Sequence, residues 1–145
     1  MDLVHIIARL IGIIVLGGGW FLGTQSREIK RIDILVNKTR EDFKNNQNYI
    51  NAIEGKTNIE CFNVWVNELK ENNYLHNHTR MWFASIWIFT LELPWQLGAE
   101  FFMQHLYDGD AASNTLGWRW VAGVQTQGKH YLASEWNIKK FTNNR

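Results

Sequence analysis

The chain has 145 residues, a hydrophobic fraction of 46% and a formal net charge of +1. These values fit one globular domain, exclude a disordered chain, and give no global attraction to nucleic acid. A single cysteine, Cys61, excludes an internal disulfide, and the sequence has no zinc-ligand spacing and no Walker or dinucleotide-binding glycine loop. Eight tryptophans, seven of them between Trp65 and Trp136, are far above ordinary usage.

The first predicted element is an apolar helix over residues 3–22. A membrane-spanning helix needs about 20 apolar residues. Arg9 lies near the start of the segment, and basic residues follow its end at positions 27, 30 and 31. Their positive charge would keep the side of the membrane after the segment cytoplasmic. Three interpretations stay open: a membrane anchor, a buried helix of a soluble protein, and a cleaved signal peptide. Asp2 argues against the last, because the start of a signal peptide is basic.

Residues 24–49 are polar and charged and carry only a loose helical stripe. The composition changes near residue 50, and we place a domain boundary there. The expected organisation is therefore an apolar helix with a polar linker over residues 1–49, followed by a helical region over residues 50–145.

The region from residue 50 predicts an all-α fold, since no strand pattern is convincing. Phe62, Trp65, Val66 and Leu69 recur at the i, i+3, i+4, i+7 spacing of one apolar helix face. Two asparagines at 72 and 73 should end that helix. Residues 108–114 predict a loop or a helix entry, because Asp, Ser and Asn favour caps. The other predicted helices cover residues 76–91, 97–107 and 115–124, with a short one near Ile138.

One cation stands in the otherwise apolar helix over residues 76–91, namely Arg80. A buried guanidinium needs a carboxylate of matching forked geometry, and Asp108 is the expected partner. The pair would be either purely structural or placed beside a ligand.

Three segments carry a resemblance to a known family: residues 75–81 (LHNHTRM), 93–98 (LPWQLG) and 108–120 (DGDAASNTLGWRW). In this order and spacing, they resemble the C-terminal part of the FAD-binding helical domain of the DNA photolyase/cryptochrome family, over residues 50–145. Family members are longer, and the segment that holds the flavin phosphates and adenine has no counterpart here. The resemblance therefore implies a truncated protein, or half of a split protein whose flavin pocket a second chain completes.

FAD is the cofactor that the resemblance implies. Arg80 and Asp108 match the ion pair beside the flavin ring, and Asp110 matches a residue that hydrogen-bonds the flavin. Asn114 matches the residue near the ring nitrogen that is protonated on reduction, where an amide can both donate and accept. The alternatives are a helix N-cap for Asp110 and a satisfied loop residue for Asn114.

Two tryptophans match members of the family's electron-transfer chain: Trp118, nearest the flavin, and Trp95. The alternative for both is core packing. The third, outermost tryptophan of the family would fall near Asp42, and no tryptophan stands there. The resemblance therefore does not extend to the complete triad.

Trp118 and Trp120 lie two positions apart on a predicted helix, so their side chains should point to different sides. One of them should face a cavity shared with Asp110 and Asn114. Two indoles on one solvent-exposed face would contradict a cofactor site.

Damaged DNA is the substrate that the resemblance implies. Asn77, Met81 and Trp120 match positions lining the pocket for the damaged base pair, and photolyases flip their target out of the duplex. An indole platform contributes roughly 1–3 kcal/mol of stacking per base. His78 stands where the family usually has a phosphate-contacting Arg, and Asn63 stands where it usually has Asp.

The implied activity is blue-light-driven electron transfer from reduced FAD to a pyrimidine dimer in DNA. The protein would be a deoxyribodipyrimidine photo-lyase if its flavin pocket is completed. Two alternatives stay open: a cryptochrome-like blue-light sensor without repair, and a membrane-tethered, non-catalytic remnant of the domain. The expected location is the cytoplasm, or the inner membrane if residues 3–22 act as an anchor.

Overall fold

The structure is a computed structural model, and it describes Ile34 and residues 36–126 and 129–142. The chain divides into two compact units, Met1–Lys38 and Thr39–Arg145. Of the first unit, only Ile34 and residues 36–38 are described, so the apolar helix predicted over residues 3–22 lies outside the described residues. No helix in the part that is described has the length and apolar character needed to cross a membrane.

The described part of the second unit is helical and contains no strand, which confirms the predicted all-α fold. Residues 39–43 are helical and precede the elements that build the site. These elements are α1 (Gln47–Glu54), α2 (Glu60–Asn72), α3 (Asn77–Ser85), a π-helical segment (Ile86–Thr90) that continues α3, α4 (Trp95–His105), α5 (Ala111–Val121) and α6 (Glu135–Phe141).

Local sequence explains where α2 and α5 end and begin. Asn73 ends α2 in the left-handed region, with φ 55°, and its N–H donates to the Leu69 carbonyl at 2.9 Å. Asp110 begins α5, because its carboxylate accepts the Ser113 N–H at 2.7 Å. The helix predicted over residues 115–124 therefore starts earlier, at Ala111. Of residues 108–114, left open between a loop and a helix entry, residues 108–110 form a loop that ends at the N-cap and residues 111–114 form the first turn of the helix.

The core lies between α2, α3, α4 and α5. The predicted stripe of α2 is buried at all four positions, Phe62, Trp65, Val66 and Leu69, which confirms that face. Cys61, beside it, is half-buried and packs against the same core.

The approach of α4 to α5 depends on Gly98. A Cβ added at Gly98 would lie 2.2 Å from Cη2 of Trp118, closer than real Cβ contacts come. The indole of Trp118 therefore occupies the space that a side chain at position 98 would need, and this contact lets it sit in the core with 2% exposure.

Candidate functional site

A cavity of about 300 Å³ opens between α3, the end of α4, and α5 with the loop that precedes it. Most of the residues singled out from the sequence line this cavity, although they come from two separate segments of the chain, residues 77–81 and 108–120. Eight of the ten predicted site residues are among its lining: Asn77, Arg80, Met81, Asp108, Asp110, Asn114, Trp118 and Trp120.

Arg80 on α3 and Asp108 before α5 form the predicted ion pair. Nη2 of Arg80 lies 3.0 Å from both Oδ1 and Oδ2 of Asp108, which confirms the pairing. Nε of Arg80 donates to the Leu75 carbonyl at 2.7 Å, and the guanidinium lies over the Tyr74 ring. The Arg80 side chain is thereby held in place on the cavity wall.

The expectation that this pair is buried is wrong. The Arg80 side chain is 24% exposed and that of Asp108 is 55% exposed, because Asp108 lies in the loop between α4 and α5. One guanidinium nitrogen serves both carboxylate oxygens, so the contact also lacks the forked geometry expected. Solvent-exposed pairs contribute about 0–1 kcal/mol. The pair therefore places charges at the mouth of the cavity more than it stabilises the fold.

Asp110 and Asn114 lie one turn apart at the start of α5. The Asp110 carboxylate accepts the Ser113 N–H, and this hydrogen bond lowers the pKa of Asp110 below its ordinary value. Asn114 donates from Nδ2 to the Ala99 carbonyl at 2.7 Å, which fixes the orientation of its amide. Asp110 is thus a helix N-cap and Asn114 a hydrogen-bonded residue, and both also line the cavity.

Trp118 and Trp120 have different surroundings, as predicted. Trp118 is 2% exposed and contacts Phe102 and Trp87 at ring-centroid distances of 5.1 and 6.1 Å. Trp120 is 43% exposed and stacks on Tyr131 at 5.6 Å. Both border the cavity, Trp118 from the core and Trp120 from the surface.

Two predicted site residues, Trp95 and His78, do not line the cavity. Trp95 opens α4 directly after Pro94 and makes no ring contact with Trp118 in the described part of the chain. The His78 ring contacts both Trp82 and Phe141, with centroid distances of 6.0 and 5.5 Å, and these two rings also contact each other at 6.5 Å. Its exposed side chain is therefore part of a cluster of three aromatic rings beside the site.

The sequence assigned no role at the site to Tyr131, Trp87 or Gly117. Tyr131 supports the Trp120 ring, and its hydroxyl accepts the Trp82 Nε1–H at 3.1 Å. Gly117 lines the cavity, and a Cβ added there would meet nothing within 4 Å. Only the high tryptophan content hinted at Trp87, and no periodicity marked Tyr131. Among the described residues, no cluster of His, Cys, Asp or Glu could hold a metal ion.

Comparison with known proteins identifies the family to which this chain belongs. Residues 24–143 match the family described as the FAD binding domain of DNA photolyase. The chain therefore belongs to this family, as the resemblance implied, and the family's cofactor is FAD, as predicted. The match begins upstream of residue 50, where the change in composition predicts a domain boundary; that boundary stays a prediction.

The individual relatives are photolyases. Deoxyribodipyrimidine photo-lyase of Buchnera aphidicola subsp. Baizongia pistaciae is 35% identical over 96 residues, which are 66% of this chain and 20% of the relative. The Escherichia coli K12 protein of the same name is 35% identical over 79 residues, 54% of this chain and 17% of the relative. That of Streptomyces griseus is 39% identical over 72 residues, 50% and 16% of the two chains. The chain thus spans about a fifth of such relatives, and no solved structure matches it.

Proposed function

We propose that the cavity holds the flavin ring of FAD, and that the complete protein uses blue light to transfer an electron from reduced FAD to a pyrimidine dimer in DNA. The observation that carries the proposal is the convergence of eight predicted residues on one cavity from α3, α5 and the loop before α5. Residues chosen for unrelated structural reasons have no cause to line the same space.

The cavity residues fit the ring part of FAD rather than the whole dinucleotide. A volume of about 300 Å³ is at the lower end of the roughly 300–1,000 Å³ of ligand pockets. Gly117 leaves the wall free of a side chain where a flat ring would lie. The Arg80–Asp108 pair offers both charges at the cavity mouth without adding net charge. The rest of the cofactor then needs a surface outside the described residues or on a second chain.

Asn114 is the residue we assign to the redox-active edge of the ring. Since Nδ2 is engaged by the Ala99 carbonyl, Oδ1 is the atom available to accept a hydrogen bond from a protonated ring nitrogen. Bound, reduced FAD supplies the electron for repair. Asn114 would orient the ring, and Asp110 would add a second hydrogen-bonding group at the same end of α5.

Trp120 is the residue we assign to the lesion. Its half-exposed indole, backed by Tyr131, is a rigid platform for a base flipped out of the duplex. Asn77 and Met81 lie on the facing helix and would complete the lesion pocket, with the methionine filling an irregular apolar wall. His78 is exposed beside them and could contact a phosphate when protonated.

The proposed substrate favours a cytoplasmic location, since DNA must reach the cavity mouth. The alternative, a location at the inner membrane, depends on whether residues 3–22 act as an anchor, and this is decided by experiment. Fractionation of cells that express the full chain separates the two: recovery in the soluble fraction supports the cytoplasmic assignment, and recovery with membranes contradicts it.

The proposal is tested by FAD titration followed by a repair assay. The full chain is titrated with FAD, alone and with the preceding part of the Escherichia coli relative supplied in trans. It is then photoreduced and mixed with an oligonucleotide containing a pyrimidine dimer, in blue light and in the dark. We expect saturable FAD binding and light-dependent loss of the dimer. Trp120→Ala should weaken dimer binding by about 1–3 kcal/mol, which is roughly 5-fold to 150-fold.

Trp136→Ala is the matched control, because Trp136 is an exposed indole that does not line the cavity. It should bind and repair dimers as the unmodified chain does. Saturable FAD binding without repair would favour the light-sensor alternative. Absence of FAD binding in both arms would contradict the proposal and favour the non-catalytic remnant.

A further inference from the structure

Three aromatic rings form a continuous path from the cavity toward the surface. Trp118 borders the cavity, and Trp87 is the one indole in ring contact with it among the described residues, at 6.1 Å and an interplanar angle of 83°. Tyr49 on α1 is the third ring: its centroid lies 6.0 Å from that of Trp87, with an interplanar angle of 87°. Trp87 is fully buried, and Tyr49 is partly exposed.

The hydrogen bonds of the two indoles differ in a way that gives the path a direction. Nε1 of Trp118 is buried and has no hydrogen-bond partner among the described residues. Nε1 of Trp87 donates to the Pro94 carbonyl at 2.9 Å. A carbonyl acceptor stabilises the positive charge of an oxidised indole, whereas burial without a partner disfavours it. Positive charge created on Trp118 should therefore move to Trp87.

Tyr49 has the properties of a terminal electron donor. Its phenol is partly exposed, so a proton can leave to water when the ring is oxidised. Burial raises the pKa of Tyr49 above its ordinary value of 10.0, which keeps the phenol protonated at neutral pH. Trp87 lacks a comparable exit, because none of its surface reaches solvent.

We propose that Trp87 and Tyr49 carry the electron-transfer path of Trp118 to the protein surface, so that the path ends on a tyrosine. This inference rests on the proposed function, since oxidised FAD held in the cavity would be the first electron acceptor on excitation by light, and its reduction would precede the repair step. Trp118 gives up one electron, Trp87 returns one electron to Trp118, and Tyr49 returns one electron to Trp87 while its phenolic proton leaves to water. A small thiol in solution then restores Tyr49 by donating a hydrogen atom and becomes a thiyl radical.

The first experiment needs no cofactor. A short ultraviolet laser flash photoionises tryptophans of the full chain, the buried Trp118 and Trp87 included, and the decay of the tryptophanyl radical is compared with the growth of the tyrosyl radical. We expect Tyr49→Phe to remove a share of the tyrosyl growth and Trp87→Phe to remove the same share. The double variant should lose no more than either single variant, because both residues serve one path.

Tyr107→Phe is the matched control, since Tyr107 is 96% exposed and has no ring contact with a described tryptophan. It should leave the intramolecular growth unchanged. Tyr49→Phe also protects the test against misfolding, because it removes only a hydroxyl at a partly exposed site. Full tyrosyl growth in Tyr49→Phe would overturn the proposal, whether or not the chain binds FAD.

The second experiment uses the chain with bound FAD, and it compares Trp87→Phe with Trp95→Phe under blue light in the presence of a thiol. Electron paramagnetic resonance should detect a tyrosyl radical in the unmodified chain and in Trp95→Phe, and should lose it in Trp87→Phe and Tyr49→Phe. Loss of the tyrosyl radical only in Trp95→Phe would assign the path to Trp95, the residue implied by the resemblance, and would contradict the proposed path through Trp87. A chain that binds no FAD would contradict the proposed function alone, because the first experiment still decides the relay.

Discussion

Asp110 shows how one side chain can serve both the backbone and the cavity. Its carboxylate caps α5 by accepting the Ser113 N–H at 2.7 Å, and it also lines the cavity. Sequence reasoning left the cap and the cofactor role as alternatives, yet the geometry allows both, since a carboxylate has further acceptor positions. The two roles therefore have to be separated by substitutions that change one property at a time.

We expect Asp110→Ala to lower the thermal midpoint of unfolding, and Asp110→Asn to retain it, because Asn caps helices as well as Asp does. The hydrogen bond from Ser113 depresses the pKa of Asp110 in the folded chain below its ordinary 3.8. Its stabilising contribution is therefore complete above about pH 3.8 and lost as the pH falls through the lower folded pKa. Thermal melts from pH 7 down to pH 2 should show this loss in the unmodified chain and not in Asp110→Asn.

Among the helices, two glycines of neighbouring elements have opposite surroundings. Gly98 on α4 is in contact with the Trp118 ring, which would lie 2.2 Å from an added Cβ, whereas Gly117 on α5 faces open space. Glycine inside a helix is otherwise unfavourable relative to alanine. The same substitution should therefore have opposite effects at the two positions.

Gly98→Ala should lower the free energy of unfolding by about 1–3 kcal/mol, because the methyl group displaces Trp118. Gly117→Ala should raise it by roughly 0.5–1 kcal/mol through helix propensity alone. Urea denaturation of both variants measures the difference. Equal effects of the two substitutions would mean that α4 and α5 do not pack through Trp118.

For the molecule taken as one unit, a ligand that binds only the folded chain raises its stability. FAD at a free concentration of about 100 times its dissociation constant should add roughly 2.7 kcal/mol. This increment is informative because the chain covers only about a fifth of its photolyase relatives. It tells whether this chain binds the cofactor by itself.

We expect FAD to raise the thermal midpoint, and Asn114→Ala to reduce that increment by about 0.5–1.5 kcal/mol through loss of one hydrogen bond. Asn67→Ala, at an exposed position of α2, is the control and should keep the full increment. The increment, and not the midpoint alone, is compared, because Asn114→Ala also leaves the Ala99 carbonyl without its donor. An unchanged increment in Asn114→Ala would remove Asn114 from the flavin site.

The features that depend on local pattern could be predicted from the amino-acid sequence. The 3.6-residue period placed the buried face of α2, cap residues marked the ends of helices, and the three motifs indicated the family and its cofactor. The Arg80–Asp108 pair was also predictable, because Arg80 is the lone cation of an apolar helix and the motif supplied its acid.

Only the tertiary structure shows which distant elements are in contact and how exposed their side chains are to solvent. Asp108 lies in a loop, so the ion pair is exposed although its helix is apolar. Gly98 admits the Trp118 ring between α4 and α5, and the ring therefore meets Trp87 and not Trp95. Such contacts depend on the volumes and directions of side chains that are far apart in the chain. The local periodicity of the sequence therefore does not predict them.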